Sequence, residues 1–222
     1  RLADPTIRER VKGDLNRYWL MVARGEWDIL WLGRTSHSMH LFGKSFVEIA
    51  DIMRCQPIDA YLDILQGEGA GIADAGMFGE VKSHDHLREL VQHPLVAIEA
   101  DAWTASADGP LAAMVNHPAS FGWTARVLGD YVRERRWLRL EEAVRKFTAM
   151  PAAKFGLRDR GLLRPGLAAD VTIFDAATIT DRASFETPAV YPDGISHVFV
   201  NGVAAVTNGR LTSSRSGSVL TA

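Results

Sequence analysis

The order of the apolar segments along the chain constrains its fold more than any other feature. Short apolar runs at residues 27–32, 72–78 and 95–101 predict buried strands, and stretches with helical spacing of apolar residues separate them. Alternating strands and helices are typical of a parallel α/β fold. A closed barrel of this type needs about eight strands, so residues 1–155 form either a small open sheet or the last part of a larger barrel.

Helical segments are predicted from apolar spacing, from prolines near helix starts and from glycines or prolines near helix ends. They cover residues 4–24, 45–53, 57–66, 83–93, 124–135, 140–149 and 151–155. Their positions between the apolar runs support the α/β assignment.

The pattern changes after Phe155, where glycine and proline become frequent and short strands follow at residues 169–174, 195–201 and 203–207. Asn201-Gly202 predicts a tight hairpin turn, because both residues readily adopt a positive φ. Asn208-Gly209 predicts a second turn. We therefore expect two domains: an α/β part at 1–155 and a small β unit at 156–222.

Composition excludes several functional classes. The net charge of the 222-residue chain is -2, so nothing favours nucleic-acid binding or attraction to an anionic membrane. The sequence has no apolar run long enough for a transmembrane helix. Cys55 is the single cysteine and can form no internal disulfide, so a reduced, cytoplasmic location is expected.

Two motifs in the second half resemble a signature of the amidohydrolase superfamily. Residues 160–175 read Arg-Gly-Leu-Leu-Arg-Pro-Gly-Leu-Ala-Ala-Asp-Val-Thr-Ile-Phe-Asp, and residues 198–203 read Val-Phe-Val-Asn-Gly-Val. Gly43-Lys44-Ser45 and the helix after it, and His93-Pro94 with the run to Asp101, are similar to the D-aminoacylase group of N-acyl-D-amino-acid deacylases within that superfamily. The resemblance extends over nearly the whole chain.

The resemblance implies a fold and a cofactor. The fold is the C-terminal part of a (β/α)8 TIM-like barrel, with roughly its last three strands, plus part of a small β-sandwich. The cofactor is zinc, as one or two ions held mainly by residues outside this chain. The missing N-terminal half of the same protein, or a partner chain, would supply those ligands, and the substrate would be a small-molecule amide.

Asp101 is the candidate catalytic residue. It ends the predicted strand 95–101, and in a barrel the carboxyl ends of the strands converge on the active site. The resemblance implies that its carboxylate takes a proton from the attacking water and returns it to the leaving nitrogen, with a weak or water-mediated contact to the metal. The alternative is an aspartate that only caps the turn after the strand.

The residues around Asp101 depart from the family pattern. Relatives have Ser before and Gly after this aspartate, where this chain has Ala100 and Ala102. Trp103 follows and would lie beside the substrate. These neighbours favour amide hydrolysis as a reaction type more than they favour D-amino-acid specificity.

Two further residues are candidates for substrate binding. Relatives place an arginine directly after a His-Pro pair to hold the substrate carboxylate, whereas His117-Pro118 is followed here by Ala119. We expect His117 to contact substrate. Arg126 is matched in the family and is a candidate for substrate contact, although a helix arginine is more often a structural ion-pair partner. The alternative functions are a hydrolase of cyclic amides, similar to dihydroorotases and hydantoinases, and an inactive amidohydrolase-like scaffold or subunit.

The remaining histidines are weaker candidates for a metal site. His37 and His40 follow the first predicted strand on the side expected to face the active site, although a solvated loop is the favoured interpretation. His84 and His86 begin a helix of the outer layer and are expected at the surface.

Overall fold

The computed structural model describes residues 1–14, 22, 24–80, 83–102 and 105–220. It divides into two compact units, Arg1–Ser83 and His84–Ala222. The domain boundary expected near residue 155 lies inside the second unit, and the division into 1–155 and 156–222 stays a prediction. No helix in these described ranges is long and apolar enough to cross a membrane.

The first unit contains helices and one small sheet. Its helices are α1 (Pro5–Asp14), α2 (Phe46–Met53) and α3 (Pro57–Glu68), and its strands are β1 (Leu30–Leu32) and β2 (Met77–Gly79). Short 3-10 turns occupy Trp27–Ile29, Met39–Leu41 and Gly69–Asp74. The predicted helices 45–53 and 57–66 are confirmed, while much of the second half of the predicted helix 4–24 lies outside the described residues.

Local sequence signals explain why α2 and α3 form. The Ser45 side chain accepts a hydrogen bond from the Glu48 N–H, and the Glu48 carboxylate accepts one from the Ser45 N–H, so the two residues form a capping box. Pro57 occupies the first turn of α3, where its missing N–H costs nothing. Both helices pack on β1 through a core that includes the buried Leu30, Phe46 and Ile49.

The strands of the first unit correct the expected parallel arrangement. β1 and β2 pair in antiparallel register, with Leu30 opposite Gly79 and Leu32 opposite Met77. Two helices and the 3-10 turn Gly69–Asp74 lie between these strands along the chain. The predicted strand 72–78 is also shifted, because its first residues form the turn Gly69–Asp74.

The second unit combines a helical layer with a four-stranded sheet. Its helices are α4 (His84–Gln92), α5 (Ala119–Arg126), α6 (Leu140–Phe147) and α7 (Ala149–Lys154), with a π-helix at Val127–Glu134 that continues α5. Its strands are β3 (Val171–Phe174), β4 (Ile195–Val200), β5 (Val203–Thr207) and β6 (Arg210–Leu211). The buried core includes Ala125, Leu128, Ala143 and Ile179.

The sheet of the second unit is antiparallel in the order β3-β4-β5-β6. Asn201 and Gly202 have φ angles of 50° and 79°, and Asn208 and Gly209 have 50° and 72°. A positive φ at both central residues gives the turn a twist that matches the flanking strands. Both predicted hairpin turns are therefore confirmed.

The predicted strand 95–101 is wrong. All of these residues are described, and they form no strand. The carbonyls of His93 and Val96 accept hydrogen bonds from the Lys146 ammonium, and the Ile98 N–H donates to the Lys146 carbonyl. Contacts with a helix end thus take the place of a strand partner. The described strands form two small sheets, and a barrel stays a prediction.

Candidate functional site

Asp101 lies in the second unit, between α4 and α5 and outside any helix or strand, and its side chain is exposed. Lys146, on the last turn of α6, holds the start of this segment. Its Nζ donates to the His93 carbonyl and, at 2.7 Å, to the Val96 carbonyl. The backbone that leads to Asp101 is therefore anchored to a helix, although it belongs to no sheet.

His117 stands just before α5 and has a defined ring orientation. Its Nδ1 accepts the N–H of Ala119 at 3.1 Å, which satisfies one of the free donors at the start of the helix. In the neutral imidazole the proton must then be on Nε2, so the ring presents a hydrogen-bond donor there. Partial burial of the ring, and then the positive charge of Arg126, lower the pKa of His117.

Arg126 is engaged by an acidic partner. Its Nε and Nη2 lie 2.9 and 2.8 Å from Oδ2 of Asp181, whose side chain is only 7% exposed. The other carboxylate oxygen of Asp181 accepts the N–H of Ala183. A Cβ built on Gly122 would lie 1.8 Å from Asp181 Oδ1, so a side chain at position 122 would displace this carboxylate. This geometry fits a structural ion pair, and a role for Arg126 in substrate binding stays a prediction.

The loop after Asp101 contacts the segment between β3 and β4. The Tyr191 hydroxyl oxygen accepts the N–H of Ala107 at 3.3 Å and lies 3.4 Å from Ser106 Oγ. The Tyr191 ring packs edge-on against Phe121 with a centroid separation of 5.0 Å. Trp103, the third predicted substrate contact, lies outside the described residues.

Sequence reasoning missed Asp181 and Tyr191 because their partners are distant in the chain. The local sequence around Tyr191 carries no motif that indicates its contact with Ala107. Asp181 does carry a weak signal, since an aspartate that accepts a hydrogen bond from a nearby N–H is common in turns. That signal predicts a turn, but it does not identify Arg126 as a partner.

In the first unit, a buried carboxylate organises the loop after β1. Glu68 accepts hydrogen bonds from the Thr35 hydroxyl and from the N–H groups of Ser36 and His37, the latter two at 2.9 and 3.0 Å. These bonds, led by that of Thr35, lower the pKa of Glu68 to about 2. His37 Nδ1 lies 3.7 Å from Glu68 Oε2, so the loop that carries His37 is fixed by this acid.

The donor set tests whether a zinc ion fits the described residues. Within them, no three His, Cys, Asp or Glu side chains come close enough together to hold a metal ion. A catalytic zinc usually takes three protein ligands and one exchangeable position. The described part of the chain therefore does not provide a zinc cage, and Asp101 can contribute at most one carboxylate to a site formed with other residues.

A cavity of about 630 Å³ lies elsewhere in the second unit, between the helical layer and the sheet. Leu128, Val144, Phe147, Phe174 and Val198 are among the residues that line it. Asp101, His117 and Arg126 do not line it, and its walls are largely apolar. Glu141 and Asp170 also line it, but because none of the described residues singled out for catalysis or substrate binding does, we do not assign the reaction to this cavity.

Comparison with known proteins identifies deacylases of N-acyl-D-amino acids among the relatives. The chain is 38% identical to the N-acyl-D-glutamate deacylase of Alcaligenes xylosoxydans xylosoxydans over 162 residues, which are 73% of this chain and 30% of that relative. A crystal structure of D-aminoacylase matches with a TM-score of 0.66 and 30% identity, over 85% of this chain and 36% of the other.

A second solved structure of a deacylase is also similar to the chain. The N-acyl-D-glutamate deacylase of Bordetella bronchiseptica, complexed with zinc and a phosphonate inhibitor, matches with a TM-score of 0.63 and 32% identity, over 85% of this chain and 38% of that one. The chain spans about a third of the length of these proteins. The model of the amidohydrolase family matches residues 64–206. The chain belongs to the amidohydrolase family.

Proposed function

We propose that this chain is part of a zinc-dependent hydrolase of amide C–N bonds, similar to the N-acyl-D-amino-acid deacylases. The observation that carries the proposal is the 38% identity to an N-acyl-D-glutamate deacylase over 73% of the chain. The zinc-bound relative from Bordetella supports zinc as the cofactor, and a D-aminoacylase structure with a binuclear metal centre supports one or two ions. The single Cys55 is consistent with a cytoplasmic location, which is part of the proposal.

The proposal includes residues beyond this chain. We infer that residues 1–155 correspond to the last part of a (β/α)8 barrel and residues 156–222 to part of a small β-sandwich. The remaining barrel strands and the zinc ligands would come from the rest of the same protein or from a partner chain. The coverage of only 30% of the deacylase relative supports this inference, as does the lack of a metal-binding cluster in the described ranges.

Within this proposal, Asp101 acts as general base and then as general acid. Its exposed carboxylate would accept a proton from the attacking water and deliver it to the amide nitrogen as the C–N bond breaks. The Nε2–H of the neutral His117 would donate a hydrogen bond to the substrate, and the lowered pKa of this imidazole favours that neutral form. Trp103 and Arg126 would complete the substrate contacts.

The Arg126–Asp181 pair favours a second candidate, the hydrolysis of cyclic amides. N-acyl-D-amino acids carry a free carboxylate, which needs a cationic partner. Position 119 is Ala, and the charge of Arg126 is already balanced by Asp181. A neutral cyclic amide, such as a dihydropyrimidine without a carboxylate, places no such demand on the pocket. A third candidate, an inactive scaffold or subunit, is favoured only by the lack of a metal-binding cluster in the described residues.

The direct test is hydrolysis by the zinc-loaded enzyme that contains this chain. Substrates would be N-acetyl-D-amino acids, their L enantiomers and cyclic amides such as dihydropyrimidines. We expect Asp101→Asn to lower kcat by about 10²–10⁴-fold, because a positioned acid–base group contributes that much. Asp85→Asn, at an exposed aspartate of α4, is the control and should leave kcat unchanged.

The outcomes separate the candidates. Preference for the D enantiomers supports the deacylase, and preference for rings supports the cyclic amidase. Hydrolysis that survives Asp101→Asn would remove Asp101 from the mechanism. An enzyme that binds zinc and turns over none of these substrates would leave the scaffold as the better description.

A further inference from the structure

Lys146 is a fully buried lysine, with 0% of the residue exposed. Lysine is seldom buried, because removing an ammonium group from water is costly unless hydrogen bonds replace the lost solvation. Burial lowers the pKa of Lys146. We therefore expect the buried ammonium of Lys146 to make hydrogen bonds that an apolar side chain could not make.

Three hydrogen bonds of Lys146 converge on one short stretch of chain. Its Nζ donates to the carbonyls of His93 and Val96, and its own carbonyl accepts the Ile98 N–H at 3.3 Å. Residues 93–98 have no strand partner, so these bonds replace the ladder that would otherwise fix their position. Ile98 also packs against the core of the second unit.

The stretch anchored by Lys146 leads directly to Asp101. The main chain runs from Ile98 to Asp101 without a helix or a paired strand. A shift of the anchored residues would therefore move the Asp101 carboxylate. Misplacement of a catalytic group by about 1 Å can lower the rate by about 10²-fold.

We propose that Lys146 is a positioning residue, which holds residues 93–98 so that Asp101 presents its carboxylate to the substrate. This inference rests on the proposed function, because it assigns catalysis to Asp101. Lys146 itself touches no reacting atom in this scheme. It acts by fixing the backbone.

Arg133 provides a matched control within the same unit. Its Nη1 donates to the carbonyls of Ile179 and Ala176 at 2.7 and 3.3 Å, so it is also a cation that anchors a non-helical segment through two carbonyls. The anchored segment follows β3 and does not lead to Asp101. Loss of Arg133 should therefore affect stability without affecting the geometry of the proposed catalytic carboxylate.

The experiment compares Lys146→Met, Lys146→Arg and Arg133→Met in the zinc-loaded enzyme, well below its melting temperature. Methionine keeps the length of the chain and removes the donors, while arginine restores donors. For Lys146→Met we expect kcat to fall about 10–100-fold with KM changed less than about threefold. Amide exchange in residues 95–102, measured by mass spectrometry, should be at least about tenfold faster. Lys146→Arg should recover part of both values, and Arg133→Met should alter neither.

Several results would overturn the inference. Unchanged exchange at 95–102 in Lys146→Met would show that Lys146 does not hold the segment, whatever the activity. Faster exchange with an unchanged kcat would reduce Lys146 to a structural role, as would an equal loss of kcat in Arg133→Met. Absence of hydrolysis in the unaltered zinc-loaded enzyme would contradict the proposed function instead, and with it the assignment of a positioned catalytic carboxylate.

Discussion

Glu68 in the first unit and Lys146 in the second are buried side chains of opposite charge with a similar structural role. Each is buried on the last turn of a helix, and each binds the backbone of a neighbouring non-helical segment. Glu68 accepts hydrogen bonds from the N–H groups of Ser36 and His37, whereas Lys146 donates to the carbonyls of His93 and Val96. Hydrogen bonds to an ionised partner are stronger than those between neutral groups, so one side chain can organise a whole loop.

Glu68 and Lys146 differ in whether the segment that each one binds is also held by a sheet. The loop bound by Glu68 follows β1, which already pairs with β2, so the carboxylate only shapes the chain beyond an existing strand. The segment bound by Lys146 has no strand partner, so the ammonium and the end of α6 substitute for the sheet. Loss of Glu68 should therefore disturb a loop, whereas loss of Lys146 should release the chain that carries Asp101.

The largest effect on stability is expected for Glu68→Gln, which keeps the volume and removes the charge. The carboxylate has a folded pKa of about 2 and an ordinary value of 4.5. Because its pKa is lowered on folding, its stabilisation is fully present above 4.5 and is lost as the pH falls through 2. We expect the variant to melt several degrees lower at pH 7 and to converge with the unaltered protein near pH 2.

Melting curves recorded from pH 7 to pH 2 measure this effect. Glu89→Gln, at an exposed glutamate of α4, is the control and should change the melting temperature little at any pH. A constant difference between Glu68→Gln and the unaltered protein across the whole range would contradict the ionised carboxylate as the stabilising species.

A smaller effect is expected for Thr35→Val, which removes one of the donors to Glu68. The Thr35 hydroxyl is the leading cause of the lowered pKa. Its loss should raise the pKa of Glu68 part of the way from about 2 towards 4.5, as measured by NMR of the carboxyl carbon. Ser36→Ala keeps the N–H that donates to Glu68 and should leave that pKa unchanged. Equal pKa values in the Thr35 variant and the unaltered protein would show that the backbone donors suffice.

The smallest effect is expected for Arg126→Met, which acts on the pKa of His117. Arg126 is paired with Asp181, a carboxylate that is largely buried, as Glu68 is. Arg126→Met removes a positive charge near His117, so protonation of the imidazole becomes easier and the pKa of His117 should rise towards 6.5. An NMR titration of the ring measures the rise. Arg135→Met, at an arginine paired with Asp130, is the control. A pKa that stays in place would mean that burial alone sets the protonation state of His117.

Local signals predicted much of the secondary structure. The hairpin turns at 201–202 and 208–209 and the start of α3 at Pro57 depend on residues that determine their own backbone conformation. The stretch 95–101 was mispredicted, because an apolar run shows that a segment is buried but does not identify its hydrogen-bond partner. Here that partner is the end of α6, which lies far away in the sequence.

In the candidate site, too, the sequence indicates individual residues but not their distant partners. Asp101 and His117 could be selected from a family resemblance, because their motifs are contiguous. The engagement of Arg126 by Asp181 could not, since it depends on how α5 packs against the chain beyond β3. Likewise, nothing in the sequence near Ala107 indicates that the Tyr191 hydroxyl binds its N–H.

The two sheets also differ in the order in which they should form. Strands β4, β5 and β6 are neighbours in sequence, and each turn closes over two residues, as in the pairing of Val200 with Val203. Hairpins of this kind form in about 1–10 μs. Pairing of Leu30 with Gly79 must close a long loop that contains α2 and α3, and loop closure costs more entropy as the loop lengthens. We expect the hairpins of β4, β5 and β6 to form early in folding. The sheet of the first unit should form only after its helices have packed onto β1.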